Sequence, residues 1–179
     1  MPKYKKNIKR IIQLDDANAM IAKAKHEEQR VLVALEYHTG ARPSELLELR
    51  RRDFTIVGPD LRIVLQTKKG GDPRLISYDI QATPFVPDIV LPWIQKLESA
   101  DSPIFSFTTT TRIKQIIYEL SEEKFCPYNF RHSKLTRMAM QGATAWELKA
   151  FKGAKTLRSV EPYVNLSPNT LEKFRKMHT

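Results

Sequence analysis

The stretch from Phe54 to Ile80 changes the period of the chain, and that change limits the fold more than any other feature. FTIV and LRIVLQT are rich in β-branched residues, GPD separates them, and KKGGDP separates LRIVLQT from RLISYDI. Side chains branched at Cβ crowd a helix but pack well on a pleated surface, and Gly, Pro and Asp mark the turns between such runs. Three short strands in this order predict an antiparallel meander.

Helical period surrounds the meander on both sides. ANAMIAKAKHEEQRVLVALEYHTG, after Asp15, carries apolar residues at spacings of three and four and stops at Gly40, which predicts two helices with a glycine at the end of the second. Beyond Ala41-Arg42-Pro43, Ser44 offers an N-cap for a short amphipathic helix, SELLELRR. From Pro84 onward VPDIVLPWIQKLES, TTTRIKQIIYELSEE, YNFRHSKLTRMAMQ, ATAWELKAFKG and SPNTLEKFRKM have helical period again. Many helices around one small sheet make an α+β chain. A length of 179 residues with 41% hydrophobic content supports a single core without disulfides or metal. Residues 1–14, rich in Lys and Arg, read as a basic arm or linker remnant ahead of a domain over 15–179.

Charge narrows the partner. Thirty Lys and Arg against 20 Asp and Glu leave a formal charge of +10, which favours a polyanion. Charge alone leaves DNA, RNA, a ribosomal surface and an anionic membrane open. The single cysteine, Cys126, excludes an intramolecular disulfide and a multi-cysteine zinc site and fits a reducing compartment. No apolar run approaches the roughly 20 residues of a membrane span, and MPKYKKNIKR lacks the apolar stretch of a secretory signal. The expected location is cytoplasmic, at the nucleoid, with no membrane partner.

Three local patterns carry chemistry. In TGARPSELLEL, Arg42 follows a helix-ending glycine and precedes a helix start, where backbone N–H groups already favour an anion and a guanidinium fork can grip a phosphate. On physics alone an arginine in such a turn is more often a plain surface residue. YNFRHS, with Tyr128, Arg131 and His132, opens another helical segment. FKGAKTLRSVEPYV ends near Tyr163, which lies 32 residues after Arg131 and nine after Ala154.

Taken together, these stretches resemble the catalytic domain of the tyrosine recombinases, the integrases of phages, plasmids and archaeal viruses. TGARPSELLELRRRDF looks like the family's first arginine box, YNFRHS like its second, and the stretch around Tyr163 like its closing box, over roughly residues 15–166. The resemblance implies that Arg42 and Arg131 hold the phosphate, that Tyr163 is the nucleophile, and that Glu45 supports the site from behind, with His132 beside Arg131. It also implies a lysine in the β-hairpin between the first two boxes. Lys68 is preferred there, and Lys69 is its rival.

Two positions depart from the family pattern. Tyr128 stands where a His aids proton handling, and a phenol with a pKa near 10 is a poorer base at neutral pH, although it can still hydrogen-bond a phosphate oxygen. Ala154 stands where a His or Trp donates to the scissile phosphate, and a methyl group cannot donate. Lys152 and Lys155 are the candidate replacements.

The implied reaction is site-specific DNA cleavage and rejoining. Tyr163 displaces a 5′-hydroxyl to form a 3′-phosphotyrosyl bond, and protonated Lys68 serves the leaving oxygen. No cofactor and no metal enter this expectation, since nothing in the sequence resembles the carboxylate cluster of a two-metal nuclease. The expected partners are double-stranded DNA and further copies of the chain, a tetramer on DNA by resemblance. The family's N-terminal core-binding domain is absent from these residues, so it is expected as a separate or deleted part. Two other readings stay open: a catalytically impaired DNA-binding domain of the same fold, and a nicking-closing enzyme like the type IB topoisomerases.

Overall fold

The computed structural model describes residues 10–66 and 73–164. Helices α1 (Leu14–Lys23), α2 (Glu27–Thr39) and α3 (Pro43–Glu48) precede strands β1 (Phe54–Val57), β2 (Asp60–Leu65) and β3 (Arg74–Asp79). After the sheet come α4 (Leu91–Gln95), α5 (Thr110–Leu120), α6 (Pro127–Met140), α7 (Ala145–Lys152) and the short α8 (Glu161–Val164). The fold is mostly helical with one small antiparallel sheet, as the periodicity predicts.

Helix α2 is the centre of the domain. Its residues from Val31 to Glu36 are all buried, so it shows almost no polar face, as expected of a helix enclosed by others. Gly40 ends it in the left-handed conformation (φ 51°). A Cβ at that position would lie 3.2 Å from both the Arg131 Cα and the Lys134 Cβ, so glycine also lets α6 pass close to the end of α2. Helix α6 fastens this approach through Arg137, which donates to the carbonyls of Ile12 (2.8 Å) and Tyr37 (3.1 Å) and stacks over the Tyr37 ring at 4.2 Å. Of the basic segment 1–14, the described end is packed: Ile12 is buried, its N–H donates to Ser133 Oγ (2.7 Å), and Leu14 opens α1.

The sheet has the order β1-β2-β3, with Ile63 opposite Phe54 and Ile76, and Leu65 opposite Arg74. Leu61, Ile63 and Leu65 alternate inward on β2, and Arg74, Ile76 and Tyr78 alternate inward on β3. The register therefore sends the Arg74 side chain into the core. Helix α5 buries Ile113, Ile116, Ile117 and Leu120, the spacing of one helical face, and packs on α3 and α6.

Two local expectations are corrected. The N-cap of α3 is Arg42, and Ser44 lies inside the helix. Pro43 explains the difference: its fixed φ and missing N–H suit the first helical position, and Glu45 then reaches back to the Arg42 N–H (2.8 Å). The segment after Pro84 is also less regular than its period suggests. Phe85 takes a left-handed φ of 68°, a π-turn covers Val86–Val90, and only five residues of α-helix follow. Among the described residues no helix is long and apolar enough to cross a membrane.

Candidate active site

The junction of α2, α3 and α6 holds three arginines around one carboxylate. Glu45, 1% exposed, accepts from Arg42 NH1 on one oxygen (2.5 Å) and from the Arg42 N–H and Arg74 NH2 (2.5 Å) on the other. Arg74 also donates to the Phe151 carbonyl. Arg131, 7% exposed, donates to the Gly40 carbonyl (2.9 Å) and to the Lys152 carbonyl. Each guanidinium is thus fixed by protein acceptors, which is the condition for cations that do not reorganise when an anion arrives. Burial is the main influence pulling the Arg131 guanidinium down to about 10, with the charges of Arg42 and Arg74 adding to it; it stays a cation at neutral pH.

Arg42, Arg131, Lys152, Tyr128, Cys126 and Lys114 line a cleft of about 560 Å³. The Arg42 side chain is 44% exposed at its wall. Four cations face one concave surface, an arrangement that accepts an anion and disfavours a cation.

Tyr163 sits behind this cleft. Its ring is buried (4% exposed) among Leu135, Ala139, Leu148 and Val160, a small second core apart from the main one. The His132 Nδ1 lies 3.1 Å from the Tyr163 hydroxyl. Burial first, then the neighbouring Tyr128 phenol, push the Tyr163 pKa up to about 12, while Arg131 opposes them. Burial, with the Lys152 charge added, holds the His132 imidazole below its usual value, so it is neutral at pH 7. Lys152 links the parts: its carbonyl holds Arg131, and its ammonium donates to the Ser159 carbonyl and stands 5.6 Å over the Tyr163 ring.

The structure therefore brings Arg42, Glu45, Tyr128, Arg131, His132, Lys152 and Tyr163 into one neighbourhood. It separates the two replacement candidates. Lys155 is exposed and lines a different cavity, of about 790 Å³, together with Ala154, Arg74, Leu75 and Trp146. Lys68 and Lys69 lie between β2 and β3 outside the described residues, as does the segment 168–177, whose period predicts a helix.

Sequence reasoning missed Arg74, Glu36 and Lys114. The alternation Arg74-Ile76-Tyr78 already puts Arg74 in phase with two core residues, and a buried cation at a strand start needs a carboxylate such as Glu45. Glu36 falls on the apolar phase of α2, fully buried, and neither carboxylate oxygen has a partner among the described residues. Desolvation raises its pKa well above the usual range, against the pull of Arg131.

Comparison with known proteins decides the family. The Phage integrase family model matches residues 4–170. The chain belongs to the phage integrase family. This integrase-family chain is similar to a tyrosine recombinase of Thermosipho africanus, 25% identical over 188 residues that cover 97% of the chain and 62% of that protein. It is equally similar, at 25% over 198 residues, to tyrosine recombinase XerC of Pelobacter propionicus, again covering 62% of the relative. The integrase chain thus spans less than two thirds of the length of these relatives. Among solved structures, XerA recombinase aligns with a TM-score of 0.71 at 19% identity, covering 99% of the chain and 66% of its own. The catalytic domain of bacteriophage HP1 integrase aligns at 0.66 and 17% identity, covering 93% of both chains. The last match agrees in extent as well as in fold.

Proposed function

We propose that this domain cleaves and rejoins DNA through a 3′-phosphotyrosyl intermediate on Tyr163. The observation that carries the proposal is the His132 Nδ1 at 3.1 Å from the Tyr163 hydroxyl, directly beside a cleft lined by Arg42, Arg131 and Lys152. Three segments far apart in sequence meet there, as a phosphoryl-transfer site requires. A relative of similar fold, XerH recombinase, has been solved bound to its difH DNA substrate (TM-score 0.72, 16% identity).

A phosphodiester enters as an anion and gains charge on its non-bridging oxygens as the phenol attacks. Arg42 and Arg131, already fixed by Glu45, Gly40 and Lys152, hold those oxygens without further ordering. With its own proton on Nε2, His132 accepts the Tyr163 proton at Nδ1, the duty that the Tyr128 position cannot perform. The Tyr163 oxygen forms the new bond to phosphorus as the bond to the 5′ oxygen breaks. Lys68, with Lys69 as its rival, gives the departing oxygen its proton. The products are a 3′-phosphotyrosine and a 5′-hydroxyl, and attack by a 5′-hydroxyl reverses the step. Lys152 donates in place of Ala154. Exchange between two duplexes requires several copies of the chain on DNA, a homo-oligomer at the nucleoid.

The direct test is a nicked suicide duplex of mixed sequence, or of the presumed site, incubated in EDTA and analysed for an SDS-stable protein–DNA adduct. The adduct is expected with the natural sequence and absent with Tyr163→Phe. A second reading, a DNA-binding domain without catalysis, rests on the burial of Tyr163 and on Ala154 facing the other cavity. Salt-sensitive duplex binding with no adduct on any substrate would move that reading to first place.

A further inference from the structure

Lys114 lies in none of the arginine or tyrosine segments, yet it lines the same cleft as Arg42, Arg131 and Lys152. The fold explains how it gets there. Helix α5 buries Ile113, Ile116, Ile117 and Leu120 against its neighbours, including α3, and this leaves Lys114 exposed on the face that borders Ala41, Arg42 and Pro43.

Its bonding differs from that of the other cleft cations. Arg42 is engaged by Glu45, Arg131 by two backbone carbonyls, and the Lys152 ammonium by the Ser159 carbonyl. Among the described residues Lys114 has no acceptor and no ion-pair partner. A cleft with three cations tied to protein and a fourth left free has one donor ready to close on an incoming anion.

We propose that Lys114 binds a non-bridging oxygen of the phosphodiester held in this cleft, beside Arg42, Arg131 and Lys152. The proposal rests on the reading that the cleft takes a phosphodiester, and it adds a residue from α5 to the site. A long, free ammonium suits the task, because it can follow the phosphate from ground state to transition state while the fixed guanidiniums define its position.

The test is a cycle between the residue and the charge. The adduct on the suicide duplex first maps the reacting phosphate. Binding is then measured in a Tyr163→Phe background, with that phosphate either natural or replaced by a neutral methylphosphonate. Neutralisation is expected to weaken the Lys114-containing protein several-fold more than Lys114→Ala, which still meets the phosphate with Arg42 and Arg131, and Lys114→Arg should recover most of the difference. Equal sensitivity in both proteins overturns the assignment.

If the natural sequence forms no adduct, the phosphotyrosine reading fails on its own. Lys114 is then judged by duplex binding alone. Two cations on one anion are not independent, so Lys114→Ala with Lys152→Ala should lose several-fold less affinity than the product of the single losses. Losses that multiply, or no loss from Lys114→Ala, reject it.

Discussion

The arginine junction and the tyrosine segment solve opposite problems. Glu45, Arg74 and Arg131 are buried against the main core, and every one of them is held by two or more protein groups. Tyr163 belongs to a second core of five buried residues, and its hydroxyl is met by a side chain, His132, rather than by backbone. In the proposed reaction the guanidiniums that define the phosphate's position must not move, since their reorganisation would cost transition-state stabilisation. In the same reaction Tyr163 must shift toward phosphorus as it hands its proton to His132, which a small satellite core allows more readily. The Lys152 backbone carbonyl joins the two regions through Arg131.

The most severe break of this contrast is at Tyr163. Tyr163→Phe keeps the ring in the second core and removes only the oxygen, so adduct should fall to zero while unfolding free energy changes by less than about 1 kcal/mol. A fall in stability of several kcal/mol in urea titrations would mean that the hydroxyl is a structural group, and the contrast would be lost.

Glu45→Ala should do the reverse. It leaves the Arg74 guanidinium, 4% exposed, without its carboxylate and releases Arg42 at the same time. Removing one partner of a buried pair costs about 3–5 kcal/mol, so the domain should unfold at clearly lower denaturant, and duplex cleavage should fail with it. A variant of near-natural stability would show that Arg74 finds water or another acceptor and that the junction is not rigid.

Much of this contrast was legible in the sequence, and the part that was not has a physical cause. Period alone located the helices and the meander, because burial of one face dictates spacing. The boxes around Arg42, Arg131 and Tyr163 were read through their resemblance to the tyrosine recombinases, since local physics alone left Arg42 a plain surface residue. Arg74 and Lys114 reach the site through strand register and helix packing, which are relations between distant segments. Lys152 and Lys155 could not be separated from spacing, because Gly153, left-handed at φ 59°, turns the chain between them and sends them to different cavities. Ser44 was a reasonable cap by composition, but the proline before it had already taken the first helical position.

The main core also carries a pH signature in the acid range. His38, 5% exposed, donates from Nε2 to the Pro84 carbonyl and packs by Tyr78 and Phe85; burial, helped by Lys134 and Arg137, holds its pKa at about 4. The unfolded chain protonates near 6.5 and the folded chain does not, so His38 destabilises the fold progressively as pH falls from 6.5 to 4, by at most about 3 kcal/mol. Glu36 acts with the opposite sign, since its raised pKa favours the fold at low pH and that support fades as pH rises above 4.5. The difference between the natural chain and His38→Gln isolates the histidine. Its stability curves should converge with those of the variant toward acid, relative to pH 7. Parallel curves would show that His38 titrates alike in the folded and unfolded chains.

The smallest effect tests the joint between the two regions. Lys152→Ala keeps the backbone carbonyl that holds Arg131 but removes the ammonium near the Tyr163 ring, so it should slow adduct formation about tenfold without a large loss of stability. It should also move the acid limb of the rate profile. Lys152 is the second cause of the depressed His132 pKa, after burial, so without it His132 protonates at a higher pH. A base must be neutral to accept the Tyr163 proton, and the rate should therefore begin to fall at a higher pH in the variant. Lys155→Ala faces the other cavity and should leave both the rate and the limb unchanged. A slower rate with an unmoved limb would keep Lys152 as a phosphate donor but remove His132 from proton transfer. An effect from Lys155 equal to that of Lys152 would mean that the two cavities act as one site, and the nucleophile would then belong to the same rigid frame as the arginines.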